Sequence, residues 1–205
     1  FQTADEYERL VSEPPTESEG MSKRQRVAME TQLGALRLSQ TERGVDPSDS
    51  IGGVSFRHLS MLAQIKSSDD DVWASLKRSG HLEGRASETL TNRLARMRAW
   101  VEGTHFPEDA RVSIRAQVDD EVRGNLDEGA RALLSGLADG LVDCEWSDNA
   151  IGECIRVASD VVGISRREAY VALYWVLLGR SHGPKASSII AEMTRDEILS
   201  LLGSA

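Results

Sequence analysis

Cysteine, proline and aromatic side chains are scarce in this sequence, and no long apolar run occurs. The two cysteines, Cys144 and Cys154, form no CxxC pattern and have no histidine companion, which argues against a zinc module or a disulfide scaffold. As reduced thiols of a cytoplasmic protein, both are expected to be buried. With five prolines in 205 residues and almost no alternating apolar/polar stretch, little speaks for strands. The longest apolar runs, such as Val171–Leu178, fall far short of the roughly 20 residues that span a bilayer. No basic stretch leads into the apolar core of a signal peptide either, so no membrane partner is expected. Positive charge is also in deficit, with 24 Lys and Arg against 33 Asp and Glu, a net −9. That balance counts against nonspecific nucleic-acid binding, which rests on phosphate neutralisation. It leaves room for a local basic site, because recognition happens on one face. GxSxG, the P-loop and GxGxxG are all missing. His58, His81, His105 and His182 are scattered without a carboxylate or second histidine at ligand spacing. No catalytic residue, metal or cofactor is therefore assigned to this chain. Position 1 is Phe rather than Met, which fits an internal piece of a longer protein.

What is present is helical spacing. Phe56, Leu59, Leu62 and Ala63 share a face, and Val72, Trp73 and Leu76 continue after the SSDDD break. Leu90, Leu94, Met97 and Val101 trace another stripe, followed by Leu126, Ala130, Leu133, Leu137 and Leu141. Ile151, Ile155, Ala158 and Val162 give the next. Ser165 with Glu168 and Thr194 with Glu197 spell capping boxes for the last two long helices. The sequence predicts an all-α fold.

Composition shifts divide the chain into three parts. Residues 1–54 contain two turn-rich breaks, SEPPTESEG and RGVDPSDSIGG, around one weak helical pattern whose possible anchors are Val27, Leu33 and Leu36. They read as a connecting segment. Residues 55–104 form a helical subdomain, and the GTHFPED stretch opens a second helical domain over 105–205.

Few residues offer chemistry. MSKR, at Met21–Arg24, reads as a solvated helix start, and SSDDD as a helix cap with an acidic first turn. Arg93 and Arg96 sit one turn apart, either on a solvated face or as contacts to a nucleic-acid backbone. The richest stretch is LLGRSHGPKASSII, Leu177–Ile190, between two apolar helices. Tyr170 and Tyr174 share a face of the first helix, which Gly179 should end. Pro184 suits the first position of the next helix, whose exposed N–H groups beside Lys185 would attract a phosphate. Arg180 and His182 can donate hydrogen bonds or stack, and Tyr174 can stack, the mixture that reads single-stranded RNA bases. Taken alone, such a corner is more often a plain helix connection.

Resemblance to a family weighs on the other side. AYVALYWVLLGRSHGPKASSIIAEM resembles the C-terminal motif of class I lysyl-tRNA synthetases, an aromatic-rich helix ending in Leu-Gly before a Gly-Pro loop. VSFRHLSMLAQI looks like the segment after that family's catalytic core. DEYERL and RAWVEGTHFPEDARVSI also resemble family stretches, and all four stand in family order. The resemblance implies an α-helix cage: a connecting segment over 1–54, a stem-contacting part over 55–104 and an anticodon-binding domain over 105–205. It implies a catalytic domain upstream of Phe1, where ATP would bind. The related glutamyl enzymes read the anticodon with a Pro-containing loop after the aromatic helix. By position, this carries the anticodon to Tyr174, His182, Gly183, Pro184 and Lys185, with Arg180 added on physical grounds. The implied partner is tRNA, specifically tRNA(Lys). A stand-alone helical RNA- or protein-interaction module derived from such an enzyme is the alternative.

Overall fold

The computed structural model describes residues 2–39 and 52–205, and among them the chain forms eleven α-helices, one short 3-10 turn and no strand. The all-α expectation holds. Of the turn-rich stretch expected at 43–53, all but the last two residues lie outside the described residues. The chain divides into two compact units, Phe1–His105 and Phe106–Ala205.

The first unit holds α1 (Gln2–Ser12), α2 (Lys23–Ser39), α3 (Phe56–Ile65), α4 (Asp69–Arg78) and α5 (Glu88–Glu102). Ser55, Ser68 and Ser87 begin the last three, each hydroxyl accepting the N–H three residues on, from His58, Asp71 and Leu90. The SSDDD run is thus a cap whose acidic first turn complements the helix dipole. α3 packs on α5, and Leu59, Leu62, Leu90 and Leu94 are all buried there. Arg98 of α5 donates to Ala63 O and Lys66 O, both at 3.1 Å, satisfying carbonyls left open where α3 ends. The N-terminal segment is more than a connector. Glu8 of α1 accepts the Phe56 N–H at 2.5 Å and the Arg93 guanidinium at 2.6 Å, fixing α1 to this unit.

α2 departs from expectation. Ser22 and Gln25 cap it reciprocally, at 2.9 and 3.3 Å, so MSKR does open a solvated helix. The helix buries no residue, however, and Val27 stands 53% exposed rather than anchoring it. Leu33 and Leu36 are half-buried. Apolar residues run around this helix instead of along one stripe, so no single face can be sealed against α1, its main neighbour.

The second unit holds the 3-10 turn Glu108–Ala110, α6 (Asp120–Gly124), α7 (Glu128–Val142), α8 (Asp148–Val162), α9 (Arg166–Leu178), α10 (Ala186–Ala191) and α11 (Arg195–Gly203). α7 is central, packed by α8, α9 and α11, while α10 closes on α8 and α9. Its stripe of Leu133, Leu134, Leu137 and Leu141 is buried to 1% exposure or less. Each such leucine contributes about 1.5–3 kcal/mol. Exposed ion pairs contribute roughly 0–1 kcal/mol, so this stripe dominates the stability of the unit. Both expected capping boxes, at Ser165–Glu168 and Thr194–Glu197, are formed.

Candidate functional site

The corner between α9 and α10 is built from a helix end, a loop and a strap from earlier in the chain. α9 stops because Gly179 takes the left-handed conformation, φ 67°, with its N–H bonded to Trp175 O at 2.9 Å. Side-chain space is denied there as well, since a Cβ on Gly179 would overlap the Arg115 guanidinium. Arg115 belongs to the strap 107–119. Its N–H donates to Leu177 O at 2.9 Å, and its side chain pairs with Asp119.

Tyr170 and Tyr174 stack along α9 with centroids 6.3 Å apart, both half-buried. Burial, then the neighbouring Tyr170, push the Tyr174 phenol above its ordinary range. It therefore stays a neutral donor at physiological pH. Gly183 lies against this ring: a Cβ there would come within 3.2 Å of Tyr174 Cδ1 and Cε1 and overlap Leu178. The loop thus covers part of the ring and leaves the rest exposed. Core and stacking roles share one side chain.

The cations at the corner differ in how they are held. Lys185 Nζ meets Asp148 at 2.7 Å, an exposed pair linking the loop to the start of α8. Burial pushes the Asp148 carboxyl up, but Lys185 outweighs it, and the group sits below its ordinary value. Arg111 lies 5.3 Å over the Phe106 ring and pairs with Glu108 at 2.8 Å. Arg180 Nη1 donates to the backbone carbonyl of Asp109 at 2.8 Å. That contact fixes the guanidinium without neutralising it. His182 is exposed at the loop tip.

Two expectations about the corner are corrected. Pro184 is a loop residue, since Lys185 is the N-cap and Ala186 the first helical position. The first turn of α10 is also closed to a phosphate, because Ala186 and Ser187 are fully buried. Packing of this short helix against α8 and α9 decides both points.

The chain is 27% identical over 154 residues to a lysine–tRNA ligase of Picrophilus torridus, covering 74% of this chain and 29% of that enzyme. It is 29% identical over 173 residues to the lysine–tRNA ligase of Methanopyrus kandleri, covering 76% and 30% respectively. The chain resembles part of a lysine–tRNA ligase. It thus spans less than a third of the length of these relatives. A glutamate–tRNA ligase of Polaromonas sp. is 29% identical over 82 residues, 40% of this chain. No family model matches the chain.

Against this lysine–tRNA ligase likeness, the arginines of the first unit divide. Arg93 is engaged in an ion pair with Glu8, at side-chain exposures of 18% and 14%, and donates to Val54 O at 2.5 Å. Its charge is spent inside the unit, which corrects the expectation that it faces a nucleic-acid backbone. Arg96 is exposed. Neither Arg115 nor the stacked rings of His58 and His81, 4.9 Å apart, were singled out by sequence reasoning. Arg115 directly follows the quoted RAWVEGTHFPEDARVSI stretch, but only the fold carries it to Gly179. Among the described residues, no group of three His, Cys, Asp or Glu is placed to hold a metal ion, and no helix is long and apolar enough to cross a membrane.

Proposed function

We propose that the chain is the tRNA-binding helical region of a class I lysine–tRNA ligase, and that Tyr174 with the 179–185 loop meets the anticodon of tRNA(Lys). The observation that carries this reading is Arg180, an uncompensated guanidinium held beside a half-exposed tyrosine and an exposed histidine. In an acidic chain, that is a donor set suited to splayed bases: one ring to stack on, two donors for base edges and a nearby lysine for phosphate. ATP-dependent activation of lysine, in the cytoplasm, belongs to a catalytic domain beyond residues 1–205. None of the signature loops that hold a nucleotide occurs in this sequence.

Binding of a fluorescent tRNA(Lys) anticodon stem–loop tests the reading. Loss of one stacked base costs about 1–3 kcal/mol, so Tyr174→Ala should weaken binding roughly tenfold or more. His182→Ala should lower affinity for the lysine anticodon more than for a scrambled loop. Lys185→Ala should reduce the slope of log K against log salt by about 0.7. Unchanged affinity in all three variants, with native circular dichroism, would sink the assignment and leave a protein-interaction module as the better account.

A further inference from the structure

Cys144 lies just past the end of α7, and Cys154 lies in the second turn of α8, the helix packed on α7. Cys154 sits over the bare backbone of Gly140: its Sγ is 3.8 Å from Gly140 O, and a Cβ on that glycine would stand 4.0 Å from Cys154 Cβ. Cys144 Sγ donates to Glu145 O at 3.1 Å, and the two thiols are in hydrogen-bonding contact with each other. Both residues are half-exposed, so a small reagent reaches them. The segment after Cys144 is held from its other side. Arg195 Nη2 donates to Cys144 O at 2.5 Å, Trp146 Nε1 to Met193 O at 3.0 Å, and the Arg195 guanidinium lies 5.0 Å over the Trp146 ring.

We propose that Cys144 and Cys154 form a reversible redox site, closing to an intrachain disulfide by exchange with a low-molecular-weight disulfide such as glutathione disulfide. One cysteine thiolate attacks the reagent, forming a mixed disulfide and releasing one glutathione thiolate. The second cysteine gives up its proton and attacks the protein sulfur of that mixed disulfide, releasing the second glutathione. Two cysteine thiols are oxidised to one disulfide, and the reagent is reduced to two thiols. Hydrogen-bonded sulfurs need only a short approach to reach the roughly 2 Å bond, and Cys144 sits in a connection rather than a helix. Burial and the contact with Cys154 push the Cys144 thiol up to about 11, which holds it protonated at neutral pH. The first attack therefore falls to Cys154, and closure accelerates as pH rises, because the thiolate is the nucleophile. This inference is independent of RNA binding.

The test uses the reduced full chain incubated with glutathione disulfide at mildly alkaline pH. The expected product is a monomer lighter by two hydrogens, with both alkylatable thiols lost and a peptide linking positions 144 and 154. Helical circular dichroism should be unchanged, the melting temperature raised, and dithiothreitol should restore both thiols. Cys144→Ser should instead accumulate one glutathione on Cys154. Retention of both thiols, two glutathiones per chain, disulfide-linked dimers, no adduct in the variant, or closure only with loss of helical signal would each overturn the proposal.

Discussion

Lys185 and Asp148 partly neutralise each other at the mouth of the 179–185 loop, so an incoming phosphate competes with a carboxylate already in place. Substituting either partner should move RNA affinity in opposite directions. Lys185→Ala removes a cation and weakens stem–loop binding. Asp148→Asn frees the lysine and should strengthen it, with an affinity titration at fixed salt as the check. The same pair carries a pH signature. The Asp148 carboxyl is held below its ordinary value, so its contribution to stability is present above pH about 4 and is lost as pH falls through the lowered value. Wild type should therefore lose stability more steeply than Lys185→Ala in acid unfolding below that pH. Arg93 is the contrasting case. Its half-buried pair with Glu8 and its bond to Val54 O make Arg93→Ala destabilising by about 1–3 kcal/mol, through donors and acceptors left unmatched. Urea denaturation checks this, and stem–loop affinity should stay unchanged in the folded variant.

At the scale of elements, α9 links stability to recognition. Its N-terminus is fixed by the Ser165–Glu168 box, its C-terminus by Gly179, and its faces by buried Leu173, Val176 and Leu177 on one side and Tyr170 and Tyr174 on the other. Ser165→Ala removes one cap and should cost about 1 kcal/mol, read as a lower melting temperature. The cap is a full helix length from the loop, so anticodon affinity of the folded protein should be preserved. α2 shows the opposite design. It is well capped but seals no face, and capping alone contributes too little to hold a helix firmly.

At the scale of the whole molecule, the two units each own a buried core and each can be treated as a folding unit. Residues 106–205 expressed alone should retain their helical circular dichroism and most of the stem–loop affinity, because every corner residue lies in that unit. An unfolded product, or loss of binding with the helices intact, would contradict this. The full chain should show no lysine-dependent pyrophosphate exchange, since it offers no nucleotide-binding motif. With a net charge of −9, its association with RNA should be driven by the local cation set and fall steeply with salt.

The sequence by itself determined the helices, their caps and most of their buried stripes. These are local properties: a hydroxyl reaches an N–H three residues on, and apolar side chains three or four apart share a face. SSDDD, the two capping boxes and the Leu133–Leu141 stripe were legible for that reason, and Val27 was misread because an anchor needs a neighbour as well as a spacing. The fate of each charged or reactive group was decided by tertiary structure. Glu8 reaches Arg93 across 85 residues of sequence and Asp148 reaches Lys185 across 37, so no window along the chain contains either pair. The same holds for Arg115 over Gly179, for His58 on His81 and for the meeting of Cys144 with Cys154. Helix packing sets those distances, and packing depends on the buried faces of several elements at once.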